Sequence, residues 1–69
     1  MERIIVKSSY LNAIGYDEET LTLDVETKDG RIYRFLGIQP HIVQTLLNAP
    51  SKGRYYRSVI SRMPHSRIR

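Results

Sequence analysis

Apolar and polar residues alternate along residues 20–37, and this alternation is the clearest pattern in the chain. Its first half interleaves three apolar residues with three polar ones, namely Leu21, Leu23 and Val25 with Thr22, Asp24 and Glu26. A period of two is typical of a strand with one buried face and one exposed face. Tyr33 and Phe35 share one parity after the turn at residues 28–30, so a second strand follows. The pattern predicts a β-hairpin at the centre of the fold.

The turn at residues 28–30 fixes how the two strands of this hairpin pair. A two-residue loop would set Val25 opposite Arg34 and would mix apolar with charged side chains on one face. A three-residue loop with Gly30 in a left-handed conformation avoids this mixture. Its register pairs Val25 with Tyr33, Leu23 with Phe35 and Leu21 with Gly37.

The same register has consequences for the outer face of the sheet. Asp24 lies opposite Arg34 there, and we expect an exposed ion pair that contributes little to stability. Ile32 and Leu36 also lie on this face, where exposed apolar side chains could contact a partner.

Two further strands precede the hairpin. The β-branched run at residues 4–6 predicts a first strand of about five residues, and residues 10–16 predict a second. The parity of the apolar residues changes between Leu11 and Ile14, so we expect a bulge near residues 12–13. A loop at residues 17–20 then pairs Tyr16 with Leu21 and Ile14 with Leu23.

The period changes to that of helices after residue 38. Pro40 suits the first position of a helix, which runs from Gln39 to Asn48 and ends before Pro50. Ser51 can cap a second helix that runs to about Ser61 or Met63. At about 100° per residue, one side of the second helix holds Tyr55, Tyr56, Val59, Ile60 and Met63. The other side holds Arg54, Arg57, Ser58, Ser61 and Arg62.

These elements predict a small α+β fold. Its antiparallel β-meander has three to four strands, and two C-terminal helices cover one face of the sheet. We expect a single domain at residues 1–63 and a loose basic tail at residues 64–69.

Composition excludes several classes of protein. The chain has 69 residues and no cysteine, so disulfides and thiolate zinc sites are ruled out. No apolar run reaches the roughly 20 residues of a membrane span, and the N-terminus lacks the apolar run of a signal peptide. We therefore expect a cytoplasmic protein that does not bind membranes.

Charge is divided unevenly along the chain. Residues 1–50 hold five basic and seven acidic residues, whereas residues 51–69 hold six basic residues and no acidic one. The six basic residues are Lys52, Arg54, Arg57, Arg62, Arg67 and Arg69. Such clustering favours a polyanionic partner, and we predict a nucleic-acid-binding site made of these residues, with Tyr55 as a candidate for stacking on a base. A solubilising tail would have the same composition.

Candidate catalytic and metal-binding residues are few. His41 and His65 lie far apart in the chain without an adjacent nucleophile, so they do not predict a catalytic site. Residues 17–19 are all acidic, but they lack the spacing of a calcium loop. Gly53 stands alone, without the glycine pattern of a phosphate-binding loop. We therefore predict no enzymatic activity, no cofactor and no metal.

Five short segments of the chain match the pattern of a known family. They are Val6-Lys7-Ser8-Ser9, Ile14-Gly15-Tyr16-Asp17, Leu21-Thr22-Leu23-Asp24-Val25, Tyr33-Arg34-Phe35 and Ser51-Lys52-Gly53-Arg54-Tyr55-Tyr56. In this order and spacing they resemble the KTSC domain, which is named from the C-terminus of some lysyl-tRNA synthetases and also occurs as small stand-alone bacterial proteins. The likeness covers about residues 4–62, and the family's central Tyr-x-Tyr is Tyr-Arg-Phe here. Attachment to a synthetase implies association with RNA, in agreement with the charge distribution.

Two functions are consistent with these patterns. The first is binding of nucleic acid, RNA in preference to DNA, through the basic second helix and tail. The alternative is a protein-interaction module that recruits a partner by strand addition to an open edge, either at residues 31–36 or at the N-terminal run. We expect a monomer, or a weak dimer if that edge associates with itself.

Overall fold

The computed structural model of the chain describes residues 3–69 and forms an α+β fold. In chain order its elements are β1 (Arg3–Ile5), β2 (Leu11–Asp17), β3 (Thr22–Thr27), β4 (Ile32–Phe35), α1 (Pro40–Asn48), α2 (Lys52–Ser58), a 3₁₀ turn (Ile60–Arg62) and β5 (His65–Arg67). The strands form one antiparallel sheet in the order β1-β2-β3-β4-β5. The predicted class and the two helices are confirmed, but the sheet has five strands where three to four were predicted. Residues 1 and 2, which the predicted domain includes, lie outside the described part of the chain.

The prediction of a loose C-terminal tail is wrong, because that segment forms β5 at the edge of the sheet. Arg67 pairs with Tyr33 of β4. Beyond the strand, the Ile32 amide donates to the Arg69 carbonyl at 2.9 Å, and the Ile68 amide donates to the Ile32 carbonyl at 2.8 Å. A strand edge presents unpaired backbone groups that need partners, and the last residues supply them for β4.

The central hairpin has the predicted register. Val25 pairs with Tyr33, Leu23 with Phe35 and Asp24 with Arg34. Gly30 has a φ of 88°, the left-handed conformation that the three-residue loop requires. The pairing does not extend to Leu21 and Gly37, since β3 begins at Thr22 and the Leu21 carbonyl instead accepts from the Ile38 amide at 2.9 Å.

The loop between β2 and β3 differs from the prediction by one residue at each end. Asp17 pairs with Thr22, so residues 18–21 form the loop, and Leu21 has a φ of 55°. Tyr16 therefore pairs with Leu23, and Ile14 with Val25, which shifts each predicted partner by two residues. A shift of two keeps every side chain on its predicted face. The expected bulge is present, because the register shifts between Leu11 and Ala13.

The helices follow the prediction except at the end of the second one. The Ser51 hydroxyl accepts from the Arg54 amide at 3.3 Å and caps α2 as expected. α2 ends at Ser58, and Val59, with a φ of −118°, leads into the 3₁₀ turn. The Ser61 hydroxyl donates to the Arg57 carbonyl at 2.7 Å, a side-chain contact that competes with regular helix geometry.

The core lies between one face of the sheet and the two helices. Its fully buried side chains are Leu11, Ile14, Leu23, Val25, Phe35, Leu46 and Ile60. The Tyr56 ring of α2 meets the Phe35 ring edge to face, with 6.0 Å between the centroids. The Tyr16 hydroxyl donates to the Ile38 carbonyl at 2.5 Å, so this tyrosine packs against the core with its polar end satisfied.

The outer face of the sheet is less exposed than predicted. Asp24 is only 5% exposed, and its two carboxylate oxygens accept from Nε and Nη2 of Arg34, both at 2.8 Å. Ile32 is buried, because β5 makes β4 an interior strand, whereas Leu36 is exposed. The β4 edge at residues 31–36 is therefore occupied by β5, and strand addition there is excluded as an interaction mode.

Candidate nucleic-acid interface

A surface cavity of about 440 Å³ brings three of the predicted basic residues together. α2 contributes Arg54 and Arg57, and the following 3₁₀ turn contributes Arg62. Three hydroxyl groups, those of Ser9, Ser51 and Ser58, also line the cavity. The wall thus combines guanidinium and hydroxyl groups, both of which donate hydrogen bonds to phosphate oxygens.

The opposite wall of the cavity comes from the connection between β1 and β2. Its conformation is fixed by the Ser8 hydroxyl, which accepts from the Tyr10 amide at 3.1 Å and from the Leu11 amide at 3.2 Å. The Lys28 amide donates to the Tyr10 carbonyl at 2.9 Å and ties the connection to the central hairpin. Ser9 and Tyr10 are therefore held facing α2.

Gly53 allows α2 to approach this connection closely. A Cβ atom at position 53 would lie 3.1 Å from the Tyr10 Cβ and 3.2 Å from the Ser8 Oγ, closer than ordinary contacts. The position of Gly53 is therefore explained by packing between two distant segments, which its isolated occurrence in the sequence does not indicate.

Tyr10 restrains one of the arginines. Its ring centroid lies 5.7 Å from the guanidinium carbon of Arg57, within the range of a cation–π interaction. The Tyr56 ring lies 5.8 Å from the Tyr10 ring. Burial, reinforced by Tyr10 and Tyr33, raises the pKa of Tyr56 above its ordinary value.

Carboxylates do not neutralise these arginines within residues 3–69. The ion pairs found there join Arg3 to Glu26, Arg31 to Asp29 and Arg34 to Asp24. Arg54, Arg57 and Arg62 belong to none of these pairs, and the cavity lining contains no acidic residue. Like charges held in one cavity repel one another and attract an anion.

A second cavity, of about 410 Å³, adjoins the first and contains the predicted aromatic residue. Ala49, Pro50 and Tyr55 line it, together with three residues that it shares with the first cavity: Ser51, Arg54 and Ser58. Tyr55 is half-buried and packs partly against the core. The second cavity thus offers an aromatic and apolar wall beside the cationic one.

The remaining predicted basic residues line neither of these cavities. The Lys52 ammonium donates to the Ala49 carbonyl at 3.3 Å at the junction between α1 and α2. Arg67 lies on β5, and Arg69 follows that strand, with its carbonyl bonded to Ile32. The structure therefore groups three of the six predicted basic residues and separates the others from them.

Five residues of the first cavity were not predicted as site residues, and two of these, Ser9 and Tyr10, come from outside the basic segment at residues 51–69. They precede β2 and carry no charge, so neither composition nor periodicity distinguishes them. Their place in the site depends on contacts with α2, which is distant in sequence. The Ser8-Ser9 pair and the Ser51–Tyr56 segment belong to the quoted family pattern, and this was the only sequence signal that could have linked them.

The two histidines lie in different parts of the fold. His41 is exposed on α1, whereas the His65 ring on β5 packs against Phe35, with 4.8 Å between centroids. The Asp17 carboxylate accepts from the Glu19 amide at 3.0 Å, a local contact within the turn. Across residues 3–69, no three His, Asp or Glu side chains are grouped as metal ligands would be. Neither helix of this region has the length and apolar character needed to cross a membrane.

Several proteins of known sequence are similar to this chain. An uncharacterized protein from Stutzerimonas stutzeri is 42% identical over 59 residues, which cover 86% of this chain and 83% of that protein. Lysine–tRNA ligases from Nostoc punctiforme and Nostoc sp. are 32% and 35% identical over 54 residues. These residues are 78% of this chain but only 10% of each ligase.

The fold has a counterpart among solved structures. The crystal structure of a KTSC domain protein from Yersinia pestis superposes with a TM-score of 0.89 at 31% sequence identity, covering 99% of this chain and 97% of that one. The family model of the KTSC domain matches residues 7–63. The match takes in the connection that carries Tyr10 as well as α2 and the 3₁₀ turn, so both walls of the arginine cavity fall inside it. The chain belongs to the KTSC domain family.

Proposed function

We propose that this chain is a small nucleic-acid-binding module that binds RNA through the arginines of α2 and the 3₁₀ turn. The observation that carries the proposal is the first cavity, in which Arg54, Arg57 and Arg62 face one space without a carboxylate partner among the described residues. Guanidinium groups donate paired hydrogen bonds to phosphate oxygens, and this makes arginine well suited to bind a nucleic-acid backbone.

Hydroxyl and aromatic groups beside the arginines support the same function. The hydroxyls of Ser9, Ser51 and Ser58 lie in the same cavity and can donate to phosphate oxygens. Tyr55 in the second cavity offers a ring on which an unpaired base can stack. An aromatic ring beside a cationic surface is typical of single-strand binding, so we propose single-stranded rather than duplex RNA as the ligand.

The choice of RNA over DNA rests on the relatives. The lysine–tRNA ligases that carry a similar segment act, by their name, on a transfer RNA. We extend an RNA ligand to this chain by that similarity. Lys52, Arg67 and Arg69 remain in the proposal as outlying cations, which raise the positive potential around the site without lining it.

Affinity should depend strongly on salt. With about three phosphate contacts, the slope of log K against log salt is about −2 for a single strand. The affinity is then on the order of micromolar or weaker near physiological salt, because phosphate contacts alone supply little more than non-specific binding.

Titration of a fluorescent single-stranded RNA at about 50 and 200 mM salt tests the proposal. The Arg54→Ala/Arg57→Ala variant should bind about tenfold more weakly at the lower salt, whereas Lys7→Ala/Lys28→Ala, which removes equal charge outside both cavities, should bind nearly as well as the parent. Equal losses of RNA affinity in both variants would show that binding depends on net charge and not on the first cavity. An absence of binding by the parent at low salt would contradict the proposal.

One observation keeps protein interaction as a second candidate function. β1 is a short edge strand whose Ile4 and Ile5 side chains are 50% and 75% exposed. Such an edge can accept a strand from a partner. An Ile5→Lys variant should abolish strand addition at the β1 edge and should leave RNA binding intact. Light scattering measures the loss where the partner is a second copy of this chain.

A further inference from the structure

The first cavity has the size of a site for a small group. Its volume of about 440 Å³ falls within the range of about 300–1,000 Å³ typical of small-ligand pockets. All three arginines line this single cavity, two of them from α2 and the third from the 3₁₀ turn. The cavity thus concentrates positive charge in one part of the surface, where more than one guanidinium can contact the same anionic group.

This concentration matches a phosphate monoester better than a phosphodiester. A diester carries one negative charge, whereas a monoester carries about −1.5 to −2 at pH 7 and presents three strong acceptor oxygens. Three guanidinium groups and three hydroxyls line the cavity, so each terminal oxygen can accept from more than one donor. A monoester, in nucleic acid, occurs only at the end of a strand.

Part of this cavity is preorganised for such a group. The Tyr10 ring holds the Arg57 guanidinium at the wall, at 5.7 Å, so less side-chain freedom is lost when an anion binds. The Ser51 Oγ accepts a hydrogen bond from the Arg54 amide, and the hydroxyl proton of Ser51 can still be donated to an anion.

The second cavity adjoins the first and adds the aromatic and apolar wall that can contact a base. It shares Ser51, Arg54 and Ser58 with the first cavity and ends on Tyr55 and the apolar Pro50. A base attached to a phosphate in the first cavity can therefore reach an aromatic wall without leaving the protein surface. Arg54 lies at the boundary and faces both groups.

We infer that the two cavities together bind the terminal nucleotide of an RNA strand, with its phosphate monoester among Arg54, Arg57 and Arg62 and its base against Tyr55. This inference rests on the proposed function and adds to it a preference for a phosphorylated strand end. Internal phosphates then make weaker contacts with the outlying cations.

Three versions of one short RNA test the inference, carrying a 5′-phosphate, a 3′-phosphate or hydroxyl groups at both ends. Isothermal titration at constant salt should show at least about tenfold tighter binding for one of the phosphorylated strands than for the hydroxyl-ended strand. Equal affinity of all three would overturn the inference. If Arg54→Ala/Arg57→Ala still weakened binding of all three equally, the proposed RNA binding would stand without the end preference.

Matched variants test whether the preference for a phosphorylated strand end depends on the first cavity. Arg62→Gln should reduce the ratio between phosphorylated and hydroxyl-ended strands to near one, whereas Arg67→Gln, which removes an arginine outside the cavity, should preserve it. Tyr55→Leu should weaken binding of the phosphorylated strand several-fold, and Tyr55→Phe should restore it. A ratio unaffected by Arg62→Gln would overturn the inference.

A free nucleotide is the other source of the same chemistry, and adenosine monophosphate serves as its probe. If adenosine monophosphate binds as tightly as the phosphorylated strand, the ligand is a mononucleotide, and the assignment to a strand end is wrong. We expect the strand to bind more tightly, because its following phosphates also contact the protein.

Discussion

Arg34 on the sheet and the three arginines of α2 and the 3₁₀ turn differ in their partners. Arg34 of β4 donates two hydrogen bonds of 2.8 Å to the buried carboxylate of Asp24. Arg54, Arg57 and Arg62 face a cavity with no carboxylate among its described lining residues. The same type of side chain thus completes the fold in one region and remains available to a ligand in the other. Net charge alone would not separate these two uses.

Arg31 provides an intermediate case. Its guanidinium lies 3.4 Å from the Asp29 carboxylate in the β3–β4 turn, and both side chains are more than half exposed. Local sequence explains why these arginines differ in their partners. Strand register sets Asp24 opposite Arg34, and the turn brings Asp29 beside Arg31. Residues 51–69 contain no acidic residue that could pair with the cavity arginines.

The largest effect is expected where an arginine has a buried partner. Asp24→Asn removes the charge from a carboxylate that accepts two hydrogen bonds from Arg34, and the melting temperature should fall by about 8 °C. Thermal unfolding followed by circular dichroism measures the change. Glu18→Gln, at an exposed loop position, is the control and should shift the melting temperature little. An unchanged melting temperature in Asp24→Asn would show that the ion pair between Asp24 and Arg34 does not stabilise the fold.

A smaller effect is expected from the residue that brings the cavity walls together. In Gly53→Ala the added Cβ would press on Tyr10 and Ser8, and this strain should exceed the gain of about 1 kcal/mol from alanine in a helix. We expect a decrease of about 4 °C in the melting temperature and weaker RNA binding. Gln44→Ala on the exposed side of α1 lacks such a contact and should be neutral or stabilising. A stabilised Gly53→Ala protein that binds RNA normally would show that the close approach is not needed.

The smallest effect is expected at the exposed ion pair between Arg31 and Asp29, and it depends on pH. The Thr27 hydroxyl, aided by the Arg31 amide and guanidinium, lowers the pKa of Asp29 below its usual range. A carboxylate with a lower pKa in the folded state stabilises the protein above its unfolded pKa of about 3.9. That contribution is lost as the pH falls through the folded value. Asp29→Asn should therefore lower the melting temperature by about 2 °C at pH 6 and by less at pH 3. An equal decrease at both pH values would exclude an ionic origin.

The central part of the fold could be predicted because its signals are local. Alternation over residues 20–37 and the requirement for Gly30 were enough to give the hairpin register. β5 could not be predicted in this way, since a strand of three exposed residues shows no alternation and depends on the free edge of β4. The left-handed conformation of Leu21 also depends on its surroundings, because leucine does not favour it intrinsically.

The positive charge of the site and its aromatic residue, Tyr55, could be predicted, but the grouping of its residues could not. Counting residues located the cations in the last part of the chain, but composition could not tell that Arg62 joins Arg54 and Arg57 while Lys52, Arg67 and Arg69 do not. Tyr10 and Gly53 meet only after the chain has folded, and their contact creates the second wall of the cavity.

The position of β5 affects when this domain can fold during translation. Phe35 pairs with His65, so β4 has no partner along one edge until residues 65–67 have been synthesised and have left the ribosome tunnel. During translation the nascent sheet therefore exposes Ile32, which is only 2% exposed in the finished fold. The domain can complete its sheet only after translation of this segment has ended, and chaperones that recognise exposed apolar strands would have access to β4 until then.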